Sequence, residues 1–148
     1  MDSEKLGKRV KALKDIEEIK NLHRDYIYAH NREDWNAMID CFTDTAVLEV
    51  VKDKAVGKKE INSFFLDNVA KNVRAKGSHI LIQPVITMEG DKASGQWIME
   101  HFLNDPFGSE NVSWGQGRYY CEYVKDNGRW KFSLLKFTRP WPQGSRFS

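Results

Sequence analysis

Ala93-Ser94-Gly95-Gln96-Trp97-Ile98-Met99-Glu100-His101-Phe102-Leu103 alternates in polarity with a period of two. Successive side chains of a strand point to opposite faces, so the stretch divides into two sets. Ala93, Gly95, Trp97, Met99, His101 and Leu103 form the more apolar set. Ser94, Gln96, Ile98, Glu100 and Phe102 form the other. The first set is expected to face a core, which turns His101 inward. A second histidine, His79, opens the apolar run Ile80-Leu81-Ile82. Two imidazoles entering one interior can move protons, or can each be satisfied by a hydrogen bond within a core.

The segments on either side supply the architecture. Before Gly57 the pattern is helical. Leu6, Val10, Leu13, Ile16, Ile19, Leu22, Tyr26 and Ala29 recur at steps of three and four, one stripe of a long amphipathic helix. Asp34 to Phe42 reads as a second helix with Trp35, Met38, Ile39 and Phe42 on its buried side. Ala46 to Val51 reads as a strand, and Gly57 to about Val73 as a third helix. After Gly77 the pattern is extended. Ser78 to Met88 is a strand in which Pro84 marks an edge or a bulge. Glu89-Gly90-Asp91 is a turn, and Asn104 to Glu110 is a loop. Asn111 to Lys125 and Trp130 to Arg139 are strands joined through Asp126-Asn127-Gly128, a hairpin signal. Pro140, Pro142 and Gly144 disorganise the tail. Helices followed by a meander predict an α+β fold: a cone of three N-terminal helices on a curved, mainly antiparallel sheet that encloses a pocket.

Composition narrows the function. A chain of 148 residues suits a single domain, 1–148. Hydrophobic residues at 41% and charged residues at 30% fit an ordinary globular protein. A net charge of +2, spread among acidic residues, argues against a nucleic-acid partner. No stretch is long and apolar enough for a membrane span or a signal peptide, so a cytoplasmic setting is expected. Cys41 and Cys121 lack a paired spacing and read as buried free thiols. His23 and His30 lie two helical turns apart without a companion ligand, so they read as structural, and no metal is expected. Gly115-Gln116-Gly117 lacks the strand-to-helix context of a phosphate loop. Trp97, Trp114, Tyr119 and Phe137 are candidate pocket walls for a small apolar substrate. Ile98 and Phe102, opposite the inward set, predict a homodimer or higher homo-oligomer through the outer sheet face.

Ile19-Lys20-Asn21-Leu22-His23-Arg24-Asp25-Tyr26, continued by Asn31-Arg32-Glu33-Asp34-Trp35, resembles the opening of SnoaL-like proteins of the nuclear transport factor two-like superfamily. Asp126 to Phe132 resembles their terminal pattern. Within that group the spacing looks most like bile-acid 7α-dehydratases and scytalone dehydratases. The resemblance implies a cofactor-independent lyase or isomerase that abstracts a proton next to a carbonyl of an apolar cyclic, polyketide-like or steroid-like molecule. It assigns the site to Tyr26, Asn31, His79, His101 and Arg139. His79 would be the base, Tyr26 and His101 oxyanion or hydroxyl donors, and Arg139 a fork for a carboxylate or oxyanion. The family places an aspartate where this chain has Asn31. An amide orients an imidazole without stabilising its cation, so His79 is expected to be a weaker base than its counterparts. The other reading is a non-catalytic small-molecule-binding or dimerisation module of the same fold.

Overall fold

The computed structural model describes residues 2–71, 77–103 and 113–139. Three helices, α1 (Ser3–Asn31), α2 (Trp35–Asp40) and α3 (Lys58–Phe64), accompany six strands. These are β1 (Phe42–Val50), β2 (Asp53–Val56), β3 (Gly77–Glu89), β4 (Lys92–Leu103), β5 (Ser113–Asp126) and β6 (Arg129–Thr138). They form one sheet in the order β2-β1-β6-β5-β4-β3. All neighbours pair antiparallel except β1 and β6, which run parallel. The architecture is the expected α+β arrangement.

Local chemistry explains the boundaries. Asp2 caps α1 by accepting the Lys5 amide at 2.7 Å, and Asp34 caps α2 by accepting the Ala37 amide at 3.1 Å. The β5–β6 hairpin turns at Asn127 (φ 49°) and Gly128 (φ 78°), the conformation a two-residue hairpin demands. Pro84 falls where the β3–β4 register shifts between Ile82 and Val85, and β3 is an edge strand, so both readings of that proline hold.

Four expectations need correction. Phe42 opens β1 instead of closing α2, because the Phe132 amide bonds to the Cys41 carbonyl at 2.8 Å and draws the chain into the sheet. Strand β2 went unread because its turn places Val51 at φ 57°, a conformation that β-branched residues rarely adopt. The third helix widens into a π turn, Phe65–Val69, closed by the Ala70 amide on the Phe65 carbonyl at 2.8 Å. That turn buries Phe65 and leaves Leu66 exposed. Val73, the loop from Asn104 to Glu110 and the tail with Pro140, Pro142 and Gly144 lie outside the described residues. Finally, Leu6, Val10 and Leu13 are exposed, and burial along α1 starts at Asp15.

The core lies between α1, α2, α3 and the inner sheet face. Ala93, Gly95, Trp97, Met99 and His101 are all buried, whereas Gln96 and Phe102 are exposed, so β4 presents the predicted face. Asp15 ties α1 to the β5–β6 hairpin. It is 2% exposed and accepts from Lys11 Nζ, Lys125 Nζ and Trp130 Nε1, each at 3.0 Å. Burial opposes its charge, but these three donors overcome that and hold the carboxyl down to about 2.

Candidate active site

His79 and His101 sit directly opposite each other on β3 and β4. Asn31, the last residue of α1, reaches the same point from the helix layer. Its Oδ1 accepts the His79 backbone N–H at 2.9 Å, and its Nδ2 donates to the His79 carbonyl at 3.0 Å. The backbone of His79 therefore turns away from β4. An antiparallel pair without ladder hydrogen bonds brings its side chains closest. The two rings lie 5.9 Å apart between centroids.

The same Oδ1 also meets His79 Nδ1 at 3.1 Å. The orientation of the amide follows from its backbone partners: the oxygen must face the N–H, and the nitrogen must face the carbonyl. An amide oxygen only accepts, so Nδ1 of His79 carries the proton. Nε2 is left with the lone pair and can accept a proton. Burial lowers the His79 pKa to about 3, with further lowering from His30 and His101, so the ring is neutral at physiological pH.

His30, expected to be structural, lies beside His79. Its ring lies 4.2 Å from that of His79 and 5.9 Å from Trp35. Helical spacing relates it only to His23. Its place beside β3 arises from long-range docking of α1, which no local pattern announces. Its Nδ1 is buried without a hydrogen-bond partner among the described residues, and burial lowers its pKa to about 4. His101 is 6% exposed, and its Nδ1 is likewise buried without a partner among the described residues. Its pKa is lowered by burial and then by the charge of Arg139.

Glycines on β5 make room for this arrangement. A Cβ at Gly115 would stand 2.6 Å from His101 Cε1 and 2.7 Å from Nε2. A Cβ at Gly117 would stand 2.0 Å from Phe137 Cε2. The Gly-Gln-Gly stretch is thus a seat for two side chains, in keeping with its lack of phosphate-loop context.

The other expected residues divide. Arg139 follows β6, with its guanidinium carbon 5.7 Å from the Phe137 ring centre. Its charge is felt at His79, His101 and Tyr119. Tyr26 lies deeper, its ring against His23, Phe42, Phe65 and Phe132 and not against His79 or His101. Burial raises its phenol well above 10. Trp97, Tyr119 and Phe137 are buried on the interior side. Trp97 and Tyr119 both pack on His23, at 4.8 Å. Trp114 does not join them. It pairs with Phe102 on the outer face and is 47% exposed, so it cannot wall the interior.

His23 is fully buried, with Nδ1 3.3 Å from the Tyr123 hydroxyl, which accepts from Trp97 Nε1 at 3.0 Å. Burial lowers its pKa to about 3. Cys41 and Cys121 are free and buried, and burial pushes the Cys41 thiol up to about 12. Among the described residues no group of three His, Cys, Asp or Glu side chains is arranged to hold a metal ion. No helix among them is long and apolar enough to cross a membrane. Two open grooves, of about 650 Å³ and about 470 Å³, lie on the helix side of the molecule, away from the histidines.

Three helices on one mixed six-stranded sheet make this a small α+β protein. The chain belongs to the SnoaL-like domain family, whose pattern matches residues 11–136. Solved structures agree on the fold. An NTF2-like protein with a cystatin-like fold from Novosphingobium aromaticivorans superposes with a TM-score of 0.83 at 20% identity, over 97% of this chain and 92% of that one. A protein from the same organism, provisionally named an aromatic ring hydroxylase, gives 0.77 at 27% identity, over 88% and 92%. A hexachlorocyclohexane dehydrochlorinase, LinA type 2, gives 0.79 at 18% identity, over 95% and 97%. No curated protein matches the chain by sequence.

Proposed function

We propose that this protein is a cofactor-independent lyase or isomerase acting on a carbonyl compound with an adjacent acidic proton. The observation that carries this reading is the Asn31 clamp, which directs the protonated nitrogen of His79 to Oδ1 and leaves Nε2 as a base. In the reaction, Nε2 takes the α-proton and the electron pair moves into the carbonyl to form an enolate. The enolate then expels a β-hydroxyl, which leaves as water after protonation, or it is reprotonated at a new carbon. His101 and Arg139 are the donors placed to stabilise the oxyanion or the departing hydroxyl. Tyr26 packs among His23, Phe42, Phe65 and Phe132, out of ring contact with His79 and His101, so the donor role falls to His101 and Arg139. A base of low pKa suits only a carbon acid already activated by its carbonyl. Trp97, Tyr119 and Phe137 favour an apolar, ring-sized substrate. The dehydrochlorinase among the solved structures shares the logic of elimination, and its likeness here is one of fold. The test is α-proton exchange into D2O, followed by NMR over a panel of cyclic β-hydroxyketones, together with release of water. No exchange with any member would leave the fold as a binding module.

Asn31→Asp separates the two roles of this residue. A carboxylate beside Nδ1 raises the His79 pKa from about 3, because an opposite charge stabilises imidazolium. It also removes the donor to the His79 carbonyl. The expected result is an upward shift of the His79 titration in NMR, faster exchange at neutral pH, and a thermal stability lower by about 1 kcal/mol. Slower exchange despite a raised pKa would mean that the amide's grip on the backbone matters more than basicity.

We also propose that the protein assembles as a homodimer through the outer sheet face. Ile80, Phe102, Trp114 and Tyr120 are each more than a third exposed there, with Ile82 and Ile98 between them. Phe102→Lys combined with Trp114→Glu is expected to convert a dimer to a monomer in light scattering. A wild-type monomer would refute the assembly.

A further inference from the structure

The first half of α1 plays no part in the proposed chemistry. Burial along this helix starts at Asp15, and Leu6, Val10 and Leu13 before it are each more than half exposed. They recur at steps of four and three and so share one face. That face turns away from the core. Val10 stands about two and a half turns before the buried Ile19, at 3.6 residues per turn, so the two point in opposite directions. The helix thus offers solvent a convex row of apolar side chains. The two open grooves of the molecule lie elsewhere, against α2, α3 and β2.

Charge gathers on the same stretch. Lys5-Leu6-Gly7-Lys8-Arg9-Val10-Lys11-Ala12-Leu13-Lys14 holds five of the 23 basic residues and none of the 21 acidic ones, so the rest of the chain is net negative. Arg9 and Lys14 border the apolar row, about 70° to either side of it by the same helical geometry. The bordering acids are engaged. Asp2 caps the helix, Asp15 is buried among its three donors, and Glu17 meets Lys20 at 3.0 Å. Lys8 meets Glu4 at 2.7 Å and Lys14 meets Glu18 at 3.7 Å, with both lysines still largely exposed. Surface pairs of this kind contribute little and give way to a stronger anionic field.

We infer that residues 5–14 of α1 dock on an anionic lipid surface, with Leu6, Val10 and Leu13 at the acyl boundary and Lys5, Arg9 and Lys14 on the headgroups. A second copy of the chain does not suit this face. Antiparallel pairing of Leu6 with Leu13 sets Lys5 against Lys14 and Lys8 against Lys11, and parallel pairing sets each base against its own counterpart. A convex row bordered by bases on both sides fits a plane. Its apolar side chains enter the boundary layer, and the long basic side chains reach back to the headgroups. Three apolar side chains hold weakly by themselves, and the attraction of the basic residues fades within a Debye length. The docking is therefore reversible and sensitive to salt. It stands apart from the proposed reaction and uses none of its residues.

The test is co-sedimentation of the intact chain with lipid vesicles. Wild type is expected to pellet with phosphatidylcholine vesicles containing about one-third phosphatidylserine at about 0.05 M salt, to stay in solution with pure phosphatidylcholine, and to be released at about 0.5 M salt. Lys5→Gln, Arg9→Gln and Lys14→Gln combined are expected to weaken binding about a hundredfold. Leu6→Ser with Leu13→Ser leaves the charge unchanged and is expected to weaken it at least about tenfold. All five side chains are exposed, and circular dichroism verifies that both variants fold. No pelleting of wild type with phosphatidylserine vesicles would overturn the inference. So would equal binding to the two vesicle types, or binding indifferent to the serine variant. Binding to an acidic amphipathic peptide, with none to the vesicles, would assign the row to a protein partner and overturn the lipid reading.

Discussion

His79→Ala is expected to lower α-proton exchange by about a hundred- to ten-thousand-fold, the usual contribution of a positioned base. The variant should keep its fold. His79 is half-buried at the mouth of β3, and its backbone bonds to Asn31 do not depend on the side chain. His79→Gln is the sharper control. Its amide can reach toward Asn31, yet it offers no lone pair of comparable basicity. Both variants should show the same loss, with binding of a neutral ring compound retained. The measurement is exchange rate under saturating substrate, with circular dichroism to verify folding. Exchange at the wild-type rate in His79→Ala would take this imidazole out of the chemistry, and the base would have to be sought at His30 or His101.

The second large effect is on stability in acid. His23 and His79 are held neutral down to about 3, and His30 to about 4, by burial. In the unfolded chain each titrates near 6.5. Below that value the unfolded state takes up protons that the folded state refuses, so stability falls as pH falls. Each of these three imidazoles removes roughly 2 kcal/mol by pH 5, relative to pH 8. His101, also lowered, adds in the same direction. Together this rivals the whole stability of a typical domain, about 5–15 kcal/mol. Asp15 cannot compensate, because its depressed pKa of about 2 makes its contribution constant above the ordinary carboxylate range and lost only below it. Denaturant unfolding between pH 8 and 4.5 should show a midpoint that drops steeply below pH 6.5. Replacing His23 by a residue that does not titrate, as in His23→Gln, should flatten the slope by about one proton. A midpoint independent of pH across this range would show that the imidazoles are solvated or charged in the fold.

Much of this molecule can be read without coordinates, for identifiable reasons. The alternation in β4 and the Asn-Gly turn are local signals, so the inward set and the last hairpin follow directly from residue order. The meeting of His79 with His101 follows once β3 and β4 are paired through the Gly90 turn. His30 was invisible because its neighbour is 49 positions away on an edge strand, as the bond pattern of the adjacent Asn31 shows. Trp114 was misplaced because β5 has aromatic side chains on both faces, and a tryptophan alone does not say which one is dry. The hairpin at Val51 was missed because it holds a β-branched residue at positive φ, and the π turn at Phe65 because its residues keep ordinary helical dihedrals and leave no local signal. The exposed stripe of Leu6, Val10 and Leu13 shows that periodicity tells where a face lies on a helix, not how far the sheet beneath it extends.

The Asn31 clamp has a consequence for solubility. An exposed sheet edge offers unpaired N–H and C=O groups to any passing chain, and β3 is such an edge. Asn31 occupies both backbone groups of His79, and Pro84 withholds a donor further along the strand. The amide that poises the imidazole thereby also denies an incoming strand its first two hydrogen bonds. Loss of Asn31 would free the His79 N–H and C=O beside Ile80, Leu81 and Ile82 for intermolecular pairing, so the poise of this imidazole and the protection of this edge share one side chain.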